Sequence, residues 1–313
     1  MKHKPKIVAI LLGMFLITQF IGLYVINFYS LPANELPLGM GYPQTPQTCD
    51  INSLADFFSC TQYLSTIIFA FIIAITLFLF RTKLKAEFII RVWFFFVVTI
   101  ALMIALLAIL PEINYIFIIS GIVALFLSFM KVFKRNLWVH NGTELLIYPG
   151  IAAVFVPILN IYTVLILLVL ISIYDMWAVW HSGIMQKMAK YQINKLNIFS
   201  GFFVPYIGKR IRAKLKKLSK AKLKKAKIKV NVAILGGGDV IFPIIAAGVM
   251  LKTIGYISVG SIILPIASFF IILGAGLGLG YLFFAAEKKK FYPAMPFITA
   301  GILLGMLVYW LVF

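Results

Sequence analysis

Apolar runs long enough to cross a bilayer recur along this chain from residue 7 to residue 313, and no long polar segment between them could form a soluble domain. A spanning helix needs roughly 20 apolar residues, and such stretches lie near 7–30, 61–80, 89–110, 113–130, 145–159, 161–182, 232–251, 256–284 and 293–313. The expectation is one membrane domain over 1–313, an all-α polytopic bundle of about nine spans. The stretch 145–182 is nearly continuous, and Pro157 and Asn160 mark its turn. Composition agrees, with 63% of the residues hydrophobic and 12% charged, against about 25% charged in ordinary soluble domains. The charged start, Met1 to Lys6, suggests a signal peptide, but its apolar run exceeds the roughly 7–15 residues of a signal-peptide core, so it reads as a retained first span.

Loop charge supplies the orientation, because Lys and Arg stay on the cytoplasmic side of a membrane. With the N-terminus inside, 28 of the 29 basic residues fall in cytoplasmic segments, and Lys252 alone falls outside with Glu35, Asp50, Asp56 and Glu112. A span count wrong by one would invert every later loop. The chain therefore reads as an integral protein of the cell membrane, N-terminus cytoplasmic and C-terminus outside. The net charge of +20 could suggest phosphate contacts, yet much of it sits in one cytoplasmic loop, 183–231. There IGKRIRAKLKKLSKAKLKKAKIK keeps Ile211, Leu215 and Leu218 at helical spacing, which suits anionic lipid headgroups better than nucleic acid. Cys49 and Cys60 share an outside loop and are open to a disulfide or to two thiols.

Two carboxylates, Asp175 and Asp239, lie inside the expected spans, where each costs roughly 2.5–3.5 kcal/mol on insertion scales and marks function by default. Asp175 is placed seven residues before the end of the sixth span and Asp239 seven after the start of the seventh. At 1.5 Å per residue both lie about 10 Å from the cytoplasmic edge, so antiparallel helices bring them face to face. Two close carboxylates cannot both ionise cheaply and share one proton, one serving as base and the other as acid. That is the apparatus for hydrolysing a peptide bond with water, and it calls for no cofactor or metal. Gly236 and Gly238 leave the surface beside Asp239 bare for a neighbouring helix or a substrate backbone. The alternating Gly274, Gly276, Gly278 and Gly280 read as helix packing, and His3, His140 and His181 are too scattered for a metal site.

At these residues the chain resembles the presenilin and signal peptide peptidase family of GxGD intramembrane aspartyl proteases, with the look of an archaeal-type presenilin homologue. The match consists of Tyr174-Asp175, of Gly236, Gly238 and Asp239, and of Pro293-Ala294-Met295, where the family has Pro-Ala-Leu; nine spans with a long loop after the sixth extend it over the whole chain. The resemblance implies that Asp175 and Asp239 are the catalytic pair, that Tyr174, Gly236 and Gly238 belong to the active-site motifs, and that Pro293, Ala294 and Met295 help hold substrate. It implies transmembrane-helix proteins as substrates, type I-like in this topology, and self-cleavage within 183–231. The chain is expected to act alone or as a homo-oligomer in the lipid bilayer. The rival reading is an ion or proton transporter using its membrane aspartates, though no repeated halves are visible. Prepilin peptidases share the Gly236 to Asp239 pattern but have fewer spans, and a scaffold would use the aspartates only to pair helices.

Overall fold

A computed structural model describes residues 5–30, 86–110, 115–134, 136–182, 200–206, 231–259, 262–285 and 292–313. Eight α-helices run through these segments: α1 (Pro5–Tyr29), α2 (Ala86–Ile109), α3 (Ile116–Phe133), α4 (Leu137–Phe155), α5 (Ile161–Trp177), α6 (Gly237–Ile254), α7 (Ile266–Ala285) and α8 (Met295–Val312). Seven of them are long and apolar enough to cross a membrane. The remaining one, α4, carries His140, Asn141, Thr143 and Glu144 in its first half. The expected span at 61–80, Cys49, Cys60, His3 and most of the basic loop lie outside the described residues.

To the helical bundle the structure adds two short antiparallel strand pairs, β1 (Gly201–Tyr206) with β2 (Asn231–Gly236), and β3 (Ile257–Val259) with β4 (Ile262–Leu264). They account for the main differences from the sequence reading. The stretch 232–251 opens as strand β2 and becomes helix only at Gly237, because Gly236 is extended, at φ −65° and ψ 147°. The stretch 256–284 likewise opens as the β3–β4 hairpin, and α7 starts just after Pro265. In the other direction α4 begins at Leu137, eight residues before 145, capped by the Asn136 side chain accepting from the Trp138 N–H. Its polar residues are partnered inside the protein, so hydropathy alone misplaces its start. The turn at 156–160 ends with Asn160 capping α5 through a reciprocal pair of bonds with Thr163.

Helices α1 and α6 pack on each other and on both α4 and α7, with α8 against α7 and α5, and α2 and α3 against α4. Large apolar side chains such as Trp93, Leu277 and Leu311 point outward, as they do where lipid, not water, is the solvent. The alternating glycines of α7 divide between two faces. Gly274 and Gly278 lie against the backbone of α8 at Gly301 and Phe297, while a Cβ added at Gly276 or Gly280 would reach only ordinary contact distance from Leu16 or Leu12 of α1. Gly301 and Gly305 return the contact from α8, and close backbone approach of this kind is how helices associate in lipid. Within α6, Pro243 has no N–H to give the Asp239 carbonyl four residues before it. Nearby, the Gln19 side chain of α1 donates to the Val240 carbonyl at 3.0 Å.

A methyl group at Gly301 would collide with the Gly274 carbonyl, whereas one at Gly121 meets open space. Gly301→Ala is therefore expected to cost about 1–3 kcal/mol, the usual penalty of overpacking. Gly121→Ala should be neutral or slightly stabilising, as read by denaturant unfolding in detergent micelles.

Candidate active site

The bundle presents two carboxyl groups at helix ends. Asp175 sits two residues before the end of α5, where the regular helix gives way to a π-helical turn, Ala178–Ser182. Asp239 sits in the first turn of α6. Both are half-buried, and Asp239 lies within electrostatic reach of Asp175. The sequence reading set each seven residues into its span; in the structure Asp239 is only the third residue of its helix, because β2 occupies the residues before it.

Each carboxylate is held by backbone. Asp175 Oδ2 accepts the Met295 N–H at 3.1 Å, and the Ala294 N–H also donates to this carboxylate. The first N–H groups of a helix have no partner within it, so the start of α8 offers Asp175 donors that its own helix cannot. One turn earlier, Ser172 Oγ of α5 lies 2.8 Å from Thr299 Oγ1 of α8 and 2.7 Å from the Leu168 carbonyl, sharing its one proton between them. This bond fixes the two helices in depth. Asp239 receives the Gly236 N–H, the bond that a helix's third residue commonly returns to its N-cap.

The predicted motif residues divide by role. A Cβ at Gly236 would come within 3.2 Å of an Asp239 carboxylate oxygen, while one at Gly238 would meet only the Phe242 ring, at 3.7 Å. The tightest of the three is Gly237, which the sequence reading passed over: a Cβ there would lie 2.8 Å from Ser200 Oγ and 3.0 Å from the Tyr148 ring. Pro293 and Met295 are buried beside Asp175, Ala294 half-buried. Tyr174 is 61% exposed and its ring neighbours that of Trp177, while its backbone adjoins Asp175. Sequence reasoning missed Tyr148, which is fully buried, lies 3.5 Å from Ser200 Oγ and is close enough to feel the charges of Glu144 and Asp239. It missed Glu144 of α4 as well, whose side chain is fully buried.

The strand pair completes the site. The Asn141 side chain of α4 accepts the Phe203 N–H at 3.0 Å and donates to the Phe203 carbonyl at 2.8 Å. Phe203 therefore directs both backbone groups at α4, and its cross-strand partner Ile234 is a non-hydrogen-bonded pair with it. The same alternation turns the backbone groups of Val232, Ile234 and Gly236 outward along the far edge of β2. Among the described residues no third strand covers that edge. It leads directly to Asp239.

Replacing Thr299 with Val keeps the shape of the α5–α8 contact but removes the acceptor for Ser172. Such interhelical bonds contribute about 0.6 kcal/mol on average and up to about 1.7. Thr299→Val should lower unfolding stability by that order, and Thr299→Ser should retain most of it.

The family model described as signal-peptide peptidase, presenilin aspartyl protease matches residues 43–313. No match is found among curated proteins. Among solved structures the chain is similar to a presenilin family intramembrane aspartate protease in two crystal forms. In space group C222 the identity is 17%, the alignment covers 95% of this chain and 94% of the other, and the TM-score is 0.56. In P2 the figures are 18%, 97% and 98%, and 0.57. At such identities the likeness is one of fold.

Proposed function

Since the chain belongs to the signal-peptide peptidase, presenilin aspartyl protease family, we propose that it is a GxGD-type aspartic endopeptidase that cuts peptide bonds within transmembrane helices, with Asp175 and Asp239 as its catalytic pair. The observation that carries this reading is the approach of two carboxyl groups from separate helices, one held by the N–H groups of Ala294 and Met295, the other at the end of an open strand edge. No feature of the site favours an ion or proton transporter.

In the proposed reaction the aspartate in its base form takes a proton from a water molecule. The water oxygen bonds to the scissile carbonyl carbon, and the protonated aspartate polarises the carbonyl oxygen. When the C–N bond breaks, the leaving nitrogen takes up a proton from the pair. The pair titrates as a unit, so neither aspartate is assigned one role. A helical substrate hides its carbonyls in its own hydrogen bonds and must unwind to be cut. The unwound segment needs new partners, and the outward groups of Val232 and Ile234 offer them by strand addition. Pro293, Ala294 and Met295 border the same place and serve as substrate contacts; Met295 stands for the family's Leu at similar volume. Gly236 and Gly238 keep the approach to Asp239 bare.

The substrates in this reading are type I-like membrane helices, which bring their cytoplasmic ends to the aspartates. The protein sits in the cell membrane with its N-terminus cytoplasmic and its C-terminus outside. It acts alone or as a homo-oligomer, and 183–231 is a basic cytoplasmic loop open to self-cleavage.

With a single-span substrate in liposomes, Asp175→Asn and Asp239→Asn are each expected to lower cleavage by at least about 100-fold, the scale of acid–base catalysis. An aspartyl-protease transition-state analogue should block the wild type. Cleavage that survives in either variant, or ion flux that depends on the aspartates in a chain that never cuts, would overturn the proposal. Gly236→Ala should slow cleavage more than Gly238→Ala, because only the former crowds the Asp239 carboxylate.

A further inference from the structure

Away from the two aspartates, a cluster of polar side chains lies where α3 and α4 meet β1. Lys131 of α3 and Glu144 of α4 form an ion pair with both side chains almost wholly buried. Glu144 Oε1 also accepts the Gly201 N–H at 3.3 Å. His140 Nε2 lies 2.8 Å from the Gly201 carbonyl, and its ring packs on Phe203 with centroids 4.8 Å apart. Asn141 takes both backbone groups of Phe203. Three residues on one face of α4 thus engage four successive outward backbone groups of β1, and the next outward residue, Pro205, has no N–H to satisfy. Burying His, Asn and Glu in one turn of a helix is costly unless each is partnered, and helix packing alone does not call for them.

From this arrangement we infer that His140, Asn141 and Glu144 are positioning residues: they clamp the outer edge of β1 and so hold the β1–β2 pair, with Asp239 at its end, opposite Asp175. The inference rests on the protease reading above. Its geometry is a chain of three links. The clamp fixes β1; β1 fixes β2 through the register Phe202 with Leu235 and Val204 with Ala233; and β2 runs through Gly236 into the turn that carries Asp239. The clamp also closes the β1 edge, so a substrate strand has only the β2 edge to join. An edge one strand further away would hold the substrate about 4.8 Å more distant from Asp239. Lys131 neutralises Glu144, which lets a carboxylate act as acceptor for a backbone N–H inside the bundle.

The test uses the full chain in detergent or liposomes, with active sites counted by tight binding of an aspartyl-protease transition-state analogue, so that kcat is expressed per folded site. Asn141→Ala and the double variant Lys131→Met with Glu144→Ala are expected to lower kcat per site by at least about tenfold, with KM little changed, since small misplacements of catalytic groups cost up to about 100-fold. Lys131→Met with Glu144→Gln removes the charges but keeps an acceptor for the Gly201 N–H, and it should recover most of the rate. A merely structural role would reduce the number of sites and leave kcat per site unchanged; that result overturns the inference. It is overturned too if the Gln variant is as slow as the Ala variant. Should Asn141→Ala leave no countable sites, His140→Phe, which keeps the ring on Phe203 but loses the bond to Gly201, decides by the same criterion. A wild type that does not cleave at all would instead defeat the protease reading itself.

Discussion

Within a membrane every backbone N–H and C=O must find a partner in the protein, and this requirement governs the whole arrangement. Helices meet it by themselves, whereas strands do not. The pair β1–β2, set between helices, therefore has two edges to account for. One is taken up by side chains from α4, with Asn141 matching both groups of a single residue. The other, on β2, turns the backbone groups of Val232 and Ile234 outward, and among the described residues no further strand pairs with it. A protein that hydrolyses helices must offer a partner to backbone that has left its helix, and an unpaired strand edge is the simplest such partner.

The same requirement explains why helix starts recur around the carboxyl groups. The N–H groups at the head of α8 lack partners in their own helix, and Asp175 supplies one. Gly236 stands at the head of α6 and gives its N–H to Asp239. The α7–α8 contact sets where the first of these donors lies, through glycines that bring the two backbones together at Gly274, Gly278, Gly301 and Gly305. Small residues remote from the reaction thereby determine the depth at which Met295 meets Asp175.

Much of this was legible in the residues. Carboxylates in apolar runs stand out because lipid penalises them, and Asp175 and Asp239 could be found from that cost alone. Glu144 escaped because its neighbours His140 and Asn141 lowered the local hydropathy, which moved the apparent start of the helix past it. Its compensation, Lys131, resembled a loop charge for the same reason. Strand β2 escaped because Val232 to Leu235 are as apolar as a helix entering lipid, and period alone does not separate a short buried strand from the first turn of a span. Tyr174 entered through the family resemblance; its side chain is exposed, and one step along a helix turns a side chain by about 100° from that of Asp175.

Asp175 and Met295 are 120 residues apart in the chain, and this separation bears on how the protein is made. A ribosome delivers spans to the membrane in order, so α5 with its aspartate is inserted well before α8 exists. Until the last helix arrives, the Asp175 carboxylate lacks the N–H groups that hold it, and α5 lacks the neighbour that sets its depth. The site is therefore completed late, after the spans that surround it are in place.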